Sequence, residues 1–391
     1  MSNQTDLFQS SDALELANQL EQKLTKDNEL GIISHYRKAG VDSELLRFAL
    51  NQAALKRRAR AKFGDDVSNL VFTEVGLEQS TRGEVAAWHA KKFLDAQLTS
   101  ITDLGAGIGA DAMAFAKAGL EVTAVELNPD SYSCLVNNLK RFESARAILG
   151  DAKLHSIDTA SIWLDPARRE QDRKSLTPQR LDPEMFSPDL NFVFDAGRRL
   201  PSGVKLAPGF PHELIPEDFE ANWVSHSSDL VELVLWSNSL GSPGVKKAVI
   251  IGPEILEFQG TQSPGDLGEL GSYLYEPDVA LIRSHLLGDF ARENGLTLIS
   301  DEIAYLSSDE LIQSPWLRSY RVIEVLPLDE KQIRSYCKSN SIGVLEIKKR
   351  GVDITPEQLR PKLRLKGTGT ATLVLTKVRG ARQAIVCEPI R

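Results

Sequence analysis

Three glycines that follow an acidic residue are spaced as in a turn that can bind a charged nucleotide-like ligand. Gly105, Gly107 and Gly109 lie two residues apart, and Asp103 precedes them. Glycine has no Cβ atom, so the backbone can approach a ligand closely, and the helix predicted after the turn presents free amide groups. The Asp103 carboxylate disfavours a phosphate nearby and favours a cationic amino-acid group. By itself the pattern also fits the dinucleotide fingerprint, as Gly105-x-Gly107-x-x-Ala110.

Further acidic residues stand at the ends of the strands that the sequence predicts after this turn. Glu126 ends the strand Glu121–Glu126, about 20 residues beyond the turn, where a carboxylate can bind ribose hydroxyls. Asp151 follows the predicted strand Ala145–Leu149, and Asp165 ends the next strand. Parallel strands place the residues at their carboxyl ends along one crevice. We therefore expect these carboxylates to share a single site.

As a set, these residues resemble the cofactor site of class I S-adenosylmethionine-dependent methyltransferases. The matching residues are Asp103-Leu104-Gly105-Ala106-Gly107-Ile108-Gly109, Glu126, Gly150-Asp151-Ala152 and Asp165-Pro166. The resemblance implies a Rossmann-like α/β fold with a seven-stranded sheet and S-adenosyl-L-methionine as the cofactor. The cofactor-binding residues it implies are Gln79, Thr81, Asp103, Gly105, Ala106, Gly107, Gly109, Glu126, Leu127, Asp151, Ala152 and Asp165. The alternative is a Rossmann-like domain that has lost its ligand.

Asp165 is the candidate for drawing a proton from the methyl acceptor, because it ends the fourth predicted strand. Methyltransferases that modify amino groups of nucleic-acid bases carry Asp/Asn-Pro-Pro-aromatic here, whereas this chain has Asp165-Pro166-Ala167-Arg168-Arg169. The second proline and the stacking aromatic ring are absent. Arg168 or Arg169 could stack on a base, clamp a phosphate or neutralise Asp165. We interpret Asp165, Pro166 and Arg168 as the catalytic residues.

Length and composition limit the class of protein. The 391 residues are enough for about two or three domains, and 42% hydrophobic with 26% charged residues is typical of a globular protein. No apolar stretch is long enough to span a membrane, and Met1–Asp6 lacks a basic and apolar leader. Cys134, Cys337 and Cys387 lie far apart and show no metal-ligand spacing. We predict a cytoplasmic protein without a metal.

Charge is distributed unevenly along the chain. The net charge is −8, yet Lys331–Arg391 contains 14 lysines and arginines against 4 acidic residues, a balance of +10 that leaves −18 for the other residues. A basic terminal region on an acidic body suggests that the tail binds a polyanion. The alternative is an ordinary basic surface in contact with solvent.

Composition and periodicity divide the chain into four parts. They are a helical region over 1–75, the methyltransferase-like core over 76–255, a connecting segment over 256–320 and a terminal domain over 321–391. The terminal domain is predicted to run strand, helix, strand, helix, strand, strand, a small α+β layer. Its predicted elements are Arg321–Leu326, Asp329–Ser339, Gly343–Lys348, Pro356–Leu363, Ala371–Val378 and Gln383–Glu388.

This terminal domain resembles the THUMP-like domain that follows some bacterial methyltransferases. The matching segments are Gly343–Gly351 and Leu373–Thr376, and the resemblance extends to Leu206–Gly209 and Tyr273–Pro277. Related THUMP domains bind RNA, which agrees with the basic charge of the tail. The basic charge and the resemblance together predict an RNA partner, although the resemblance does not itself give the substrate. The predicted contacts are Lys348, Lys349, Arg350, Arg364 and Lys366.

Basic residues outside the tail leave two interpretations open. Lys56–Lys62 holds five basic residues in seven, which could bind a phosphate backbone or form a helix face docked on an acidic neighbour. Lys205 ends the fifth predicted strand and could reach the crevice, but a lone lysine is more often a surface partner of an acidic residue.

Three further expectations concern the elements around the core. Ser80 or Thr81 is predicted to cap the helix Val85–Leu94. The segment Pro253–Asp266 is rich in turn residues and is predicted to be a linker. A single helix is expected over Val279–Asn294.

Three functions fit the sequence. The first is a methyltransferase that acts on RNA and uses the basic tail to hold its substrate. The second is a non-catalytic RNA-binding protein with a vestigial pocket, because the aromatic residue after Pro166 is missing. The third is a methyltransferase of small molecules or proteins whose tail docks elsewhere.

Overall fold

The computed structural model describes residues 7–25, 28–168 and 183–390. The chain divides into two compact units. The first consists of Met1–Ala221 and Leu233–Gly244, and the second of Asn222–Glu232 and Val245–Arg391. None of the helices in the described ranges is long and apolar enough to cross a membrane.

In the described ranges, the N-terminal part of the first unit contains four α-helices: α1 (Ser11–Lys23), α2 (Glu29–Lys38), α3 (Ser43–Phe63) and α4 (Glu74–Gln79). Side-chain oxygens start three of them, because Ser10, Asp42 and Thr73 each accept a backbone N–H of the first turn. Helices α1 and α3 bury an apolar seam that includes Leu20 and Leu46. This seam holds the long helix α3 against the rest of the helical region.

Strands and helices then alternate. The strands are β1 (Ser100–Leu104), β2 (Glu121–Glu126), β3 (Ala145–Leu149), β4 (Ser161–Leu164) and β7 (Ser202–Leu206). The helices are α5 (Gly83–Asp95), α6 (Ala110–Lys117), α7 (Pro129–Leu139) and α8 (Leu190–Arg199). In the described ranges, β5 (Ala167–Arg168) and β6 (Phe186–Ser187) form a separate two-stranded sheet. Strand β1 pairs in parallel with β2 and β4, β2 with β3, and β4 with β7. Strands β1, β2, β4 and β7 are almost continuously buried, as expected for parallel strands covered by helices, whereas the edge strand β3 is partly exposed.

The sheet has nine strands, so the prediction of seven is wrong. The additional strands are β8 (Glu220–His226), β9 (Asp229–Trp236), β10 (Lys246–Ile251) and β11 (Ile255–Gly260), and the complete order is β11-β10-β8-β9-β7-β4-β1-β2-β3. Apolar runs over Leu230–Trp236 and Val245–Ile251 predict β9 and β10, whereas the sequence predicts neither β8 nor β11. The predicted linker Pro253–Asp266 contains strand β11, so this prediction is wrong. Proline and glycine on either side of the strand are typical of turns, and they outweigh the alternating exposure of its residues in the sequence pattern.

The interior of the first unit contains a cluster of aromatic side chains. Trp163 and Trp236 are fully buried, with ring centroids 5.8 Å apart. Phe93 and Phe115 pack edge-on against Trp163, and the imidazole of His89 lies 4.4 Å from the same indole. Such contacts add to the free energy of apolar burial and fix α5 and α6 against the sheet.

The second unit contains a seven-stranded sheet in the order β13-β14-β12-β15-β18-β17-β16. Its elements are β12 (Tyr273–Pro277), α9 (Val279–Arg283), α10 (Leu287–Glu293), β13 (Thr297–Ser300), β14 (Ile303–Ser308), β15 (Leu317–Pro327), α11 (Glu330–Ser339), β16 (Ile342–Lys349), α12 (Pro356–Leu363), β17 (Gly369–Val378) and β18 (Ala381–Pro389). The predicted order of the terminal elements is confirmed. The single helix expected over Val279–Asn294 is instead two helices, separated at His285, whose φ is 59°.

Candidate functional site

The carboxyl ends of the parallel strands define the candidate site. Strand β1 has β4 on one side and β2 on the other; the chain continues from β1 to β2 in one direction and from β4 to β7 in the opposite direction. This is the switch point at which ligands bind in open α/β sheets. The residues that the sequence predicts to meet there, Gly105, Glu126 and Asp165, follow or end β1, β2 and β4.

The glycine turn is held close to β2 and leaves space at its centre. The amides of Gly105 and Ala106 both donate to the Val125 carbonyl, each at 3.0 Å. Gly107 has a φ of 57°, and a Cβ built on it would meet no atom within 4 Å. Glycine is needed there for its backbone conformation, and the open space permits close approach of a ligand. Helix α6 begins directly after the turn, at Ala110.

Glu126 closes the turn from the end of β2. One carboxylate oxygen accepts the Gly107 amide and the other the Asn128 amide, both at 2.7 Å. The residue is only 9% exposed, so these bonds fix its carboxylate in place. Each carboxylate oxygen has a second lone pair, which leaves Glu126 able to accept ribose hydroxyls as the sequence predicts.

Asp103 is the most unusual group of the site. It is 1% exposed, and within the described ranges neither of its carboxylate oxygens has a hydrogen-bond partner. Burial, together with the charges of Asp111, Asp165 and Glu126, raises its pKa well above the usual range, and Lys205 opposes this only in part. A buried carboxyl group without a partner is costly, so the site is suited to a cationic group.

Thr81 links two elements of the site rather than capping a helix. Its hydroxyl donates to Asp111 at 2.6 Å, and the other oxygen of Asp111 lies 2.8 Å from His89 Nδ1. Burial raises the pKa of Asp111, but His89, Lys205 and the Thr81 hydroxyl together outweigh burial, and the pKa is lowered. The N-cap residue of α5 is Arg82, without a side-chain cap. The predicted cap at Ser80 or Thr81 is therefore wrong, because Thr81 is engaged in this buried network.

Lys205 is part of the site and not an isolated surface residue. Its ammonium donates to Asp165 at 2.6 Å and to the Thr81 hydroxyl at 3.0 Å, with a longer bond to the Gln79 carbonyl at 3.4 Å. The Lys205 side chain is only 13% exposed. The sequence signal was its position at the end of a strand beside β4. The sequence does not predict Asp111 or His89 as site residues. The one available signal is the position of Asp111 in the first turn of α6, directly after the glycine turn.

The remaining predicted cofactor residues differ in accessibility. Leu127 is 57% exposed and Ala152 is buried. Asp151 is partly exposed and accepts the Lys153 amide at 2.9 Å. Gln79 contributes its backbone carbonyl to Lys205, while its side chain is exposed. The roles predicted for these four residues in cofactor binding remain predictions.

The predicted catalytic residues are described only in part. Asp165 directly follows β4 with its side chain 33% exposed, and Pro166 is buried. Arg168 lies in the short strand β5, and its side chain lies outside the described part of the structure. Arg169 also lies outside the described residues.

The basic run of α3 is bonded within the protein, which favours the docked-helix interpretation over phosphate binding. Arg57 donates to the carbonyls that end α1, and Arg58 and Arg60 pair with acidic side chains. Lys56 is 1% exposed, and its ammonium donates to two carbonyls at 2.9 and 3.0 Å. Lys62 donates to three more.

The basic tail residues form two groups. Lys348 binds Glu276 at 2.6 Å, and Arg350 lies 3.7 Å from the same carboxylate. Lys349, Arg364 and Lys366 are exposed, and no ion pair is seen for them among the described residues. The first group is therefore partly neutralised, and the second can meet a polyanion.

Comparison with known proteins agrees with this fold. Residues 317–389 match the family described as THUMP domain-like. Two Mycobacterium tuberculosis proteins, from strains CDC 1551 / Oshkosh and ATCC 25618 / H37Rv, are each 30% identical over 356 residues, which cover 86% of this chain and 95% of theirs. Both are named S-adenosylmethionine-dependent methyltransferases.

A solved structure shares the fold across most of the chain. The crystal structure of a Porphyromonas gingivalis W83 protein, assigned as a methyltransferase, superposes with a TM-score of 0.72 at 18% identity, covering 88% of this chain and 90% of that one. Fold, site and relatives define a class I S-adenosylmethionine-dependent methyltransferase. Within that class, the chain belongs to the family that carries a C-terminal THUMP-like domain.

The residues present fit the cofactor of this family. S-adenosyl-L-methionine carries an ammonium and a sulfonium, and Asp103 offers two buried acceptor oxygens without a partner. The open face of Gly107 and the fixed carboxylate of Glu126 suit a ribose that approaches the backbone. Across the described ranges, no group of three or more His, Cys, Asp or Glu residues could hold a metal ion.

Proposed function

We propose that this enzyme methylates RNA, with the cofactor bound along the ends of β1, β2 and β3 and the acceptor approaching Asp165. The observation that carries the cofactor site in this proposal is the buried carboxyl group of Asp103 beside the glycine turn, which has no hydrogen-bond partner among the described residues. We retain the predicted cofactor-binding set, in which Gln79, Thr81 and Asp165 act indirectly through their bonds to Lys205 and the other residues contact the cofactor. Asp103 binds the cationic end and Glu126 the ribose.

Methyl transfer requires alignment of donor and acceptor and removal of one proton from the acceptor. The bound cofactor supplies the methyl group from its sulfonium. Asp165 accepts the proton of the acceptor, and the ammonium of Lys205, 2.6 Å away, holds that carboxylate in place. Pro166 restricts the backbone directly after Asp165. Positioning of this kind contributes about 7–11 kcal/mol to lowering a reaction barrier.

An RNA substrate is supported by the second unit. Lys331–Arg391 has a balance of +10, and Lys349, Arg364 and Lys366 are exposed on it. We propose that these three residues bind phosphates, and that Lys348 and Arg350 have a smaller role because Glu276 neutralises them in part. A cytoplasmic location is also proposed, supported by three cysteines that form no disulfide.

The proposed activity is tested by methyl transfer to RNA. Total RNA from a strain that lacks the gene is incubated with purified protein and methyl-labelled cofactor, and the nucleosides are separated by mass spectrometry. We expect one labelled nucleoside with wild type, and labelling slowed about 100-fold or more with Asp165→Asn. The matched control is Asp95→Asn, which removes an exposed carboxylate paired with Lys91. Label on protein or small molecules, and none on RNA, would contradict the proposal.

The RNA contacts are tested by the salt dependence of binding. Each phosphate contact to single-stranded RNA adds a slope of about −0.7 to log affinity against log salt. The triple variant Lys349→Glu, Arg364→Glu and Lys366→Glu is expected to reduce the slope by about 2. Lys117→Glu, an exposed lysine of the first unit, serves as the control. Equal slopes for all proteins would exclude the three residues as phosphate contacts.

A further inference from the structure

Helix α3 sends one lysine toward the segment that borders the site. The ammonium of Lys62 donates to the carbonyls of Leu77 at 2.7 Å, Glu78 at 2.9 Å and Ser80 at 2.8 Å. A lysine ammonium has three protons, so three acceptors satisfy it. These carbonyls lie at the C-terminal end of α4 and just beyond it, where a cation is favoured.

The same short segment supplies two of the acceptors that bind Lys205. Gln79 gives its carbonyl and Thr81 its hydroxyl, and both lie within four residues of the carbonyls that Lys62 holds. Lys205 in turn binds Asp165. Lys62 is therefore connected to the carboxylate at the end of β4 through one backbone segment and one ammonium.

Helix α3 contains a second lysine that shows what a purely structural role looks like. Lys56 is buried and donates to the carbonyls of Val67 and Ser68. Burial lowers the pKa of both Lys56 and Lys62 to about 8. The two lysines share a helix and a type of bond, although Lys56 is buried and Lys62 is partly exposed. They differ in that the carbonyls bound by Lys56 belong to no part of the candidate site.

We propose that Lys62 is a positioning residue for methyl transfer: it fixes the segment from Leu77 to Thr81 so that Lys205 and Asp165 are held in their reactive arrangement. This inference rests on the proposed function, because it assumes that Asp165 serves the acceptor. It makes the N-terminal helical region part of the catalytic unit. The basic run of α3 then acts through internal bonds to the protein.

The test compares Lys62→Met with Lys56→Met in the full-length protein. Hydrogen exchange of the amides from Leu77 to Arg82 is measured first, with cofactor binding by calorimetry. We expect protection of this segment to fall at least tenfold in Lys62→Met and to stay within twofold of wild type in Lys56→Met. Cofactor affinity should change less than twofold in both, because Asp103 and Glu126 are untouched.

Turnover then separates a positioning role from a loss of stability. With RNA from the deletion strain, Lys62→Met is expected to lower kcat about tenfold at an unchanged cofactor KM, and Lys62→Arg to restore most of it. Lys56→Met should keep the wild-type kcat. Equal effects of both methionine variants, or no effect of Lys62→Met on exchange and kcat, would overturn the inference. If wild type itself transfers no methyl group, the proposed function fails. The exchange data then still test whether Lys62 fixes the segment from Leu77 to Thr81.

Discussion

Asp103→Asn tests the proposed role of Asp103 in cofactor binding most directly, because it removes a charge and keeps the shape of the side chain. In the wild type, burial and three neighbouring carboxylates raise the pKa of Asp103. The folded protein therefore binds more protons than the unfolded chain, and stability falls as the pH rises from about 4 through the raised pKa. The variant lacks this loss.

The expected magnitudes follow from the missing partners. An unsatisfied buried group costs about 1–3 kcal/mol, and more when it is charged; the variant keeps a buried polar group but loses the charge. Above the raised pKa we therefore expect the variant to be more stable by about 1 kcal/mol, with a midpoint about 2–4 °C higher. Its affinity for the cofactor should fall, because a hydrogen bond between charged groups contributes about 1.5–3 kcal/mol. Since about 1.4 kcal/mol is a tenfold change, Kd should rise about 10- to 100-fold.

Calorimetry in two buffers of different ionisation enthalpy provides the assay. A cationic ligand favours the ionised form of Asp103, so cofactor binding to the wild type should release protons, and binding to Asp103→Asn should release fewer. Denaturation at pH 6 and pH 8 measures the stability difference, which should be larger at the higher pH. Asp95→Asn is the control, because that carboxylate is 61% exposed. Unchanged cofactor affinity, or equal proton release, would refute this account of Asp103.

Three further results are expected. Asp165→Asn should lower the methyl-transfer rate about 10²–10⁴-fold while calorimetry shows cofactor affinity within twofold; a wild-type rate would remove Asp165 from the mechanism. Glu126→Gln leaves one acceptor oxygen for the amides of Gly107 and Asn128. Urea denaturation should therefore show a free energy of unfolding that is lower by about 1–3 kcal/mol; an unchanged value would mean that these bonds contribute little. Because the pKa of Lys56 is lowered to about 8, its deprotonation should stabilise the wild type by up to about 1.4 kcal/mol per pH unit from about pH 8 to 9.5; an equal rise in Lys56→Met would contradict this.

The sequence alone determines much of the cofactor side of the site. The glycine turn and Glu126 stand close together in the chain, and their proposed roles follow from local geometry: a turn that needs positive φ and a carboxylate at the end of a strand. The order of elements in the terminal domain is likewise predictable, since alternating apolar residues and turn residues reveal each short strand.

Only the tertiary structure decides which distant groups meet. Thr81 contacts Asp111 and Lys205, which are 30 and 124 residues away, and no local pattern indicates such a contact. The nine-stranded sheet depends in the same way on pairing between segments whose proline and glycine are typical of linkers. The inward bonds of the basic run on α3 also depend on where α1 and α4 end. A sequence lists charges, but packing decides which of them are neutralised within the fold and which stay available to a ligand.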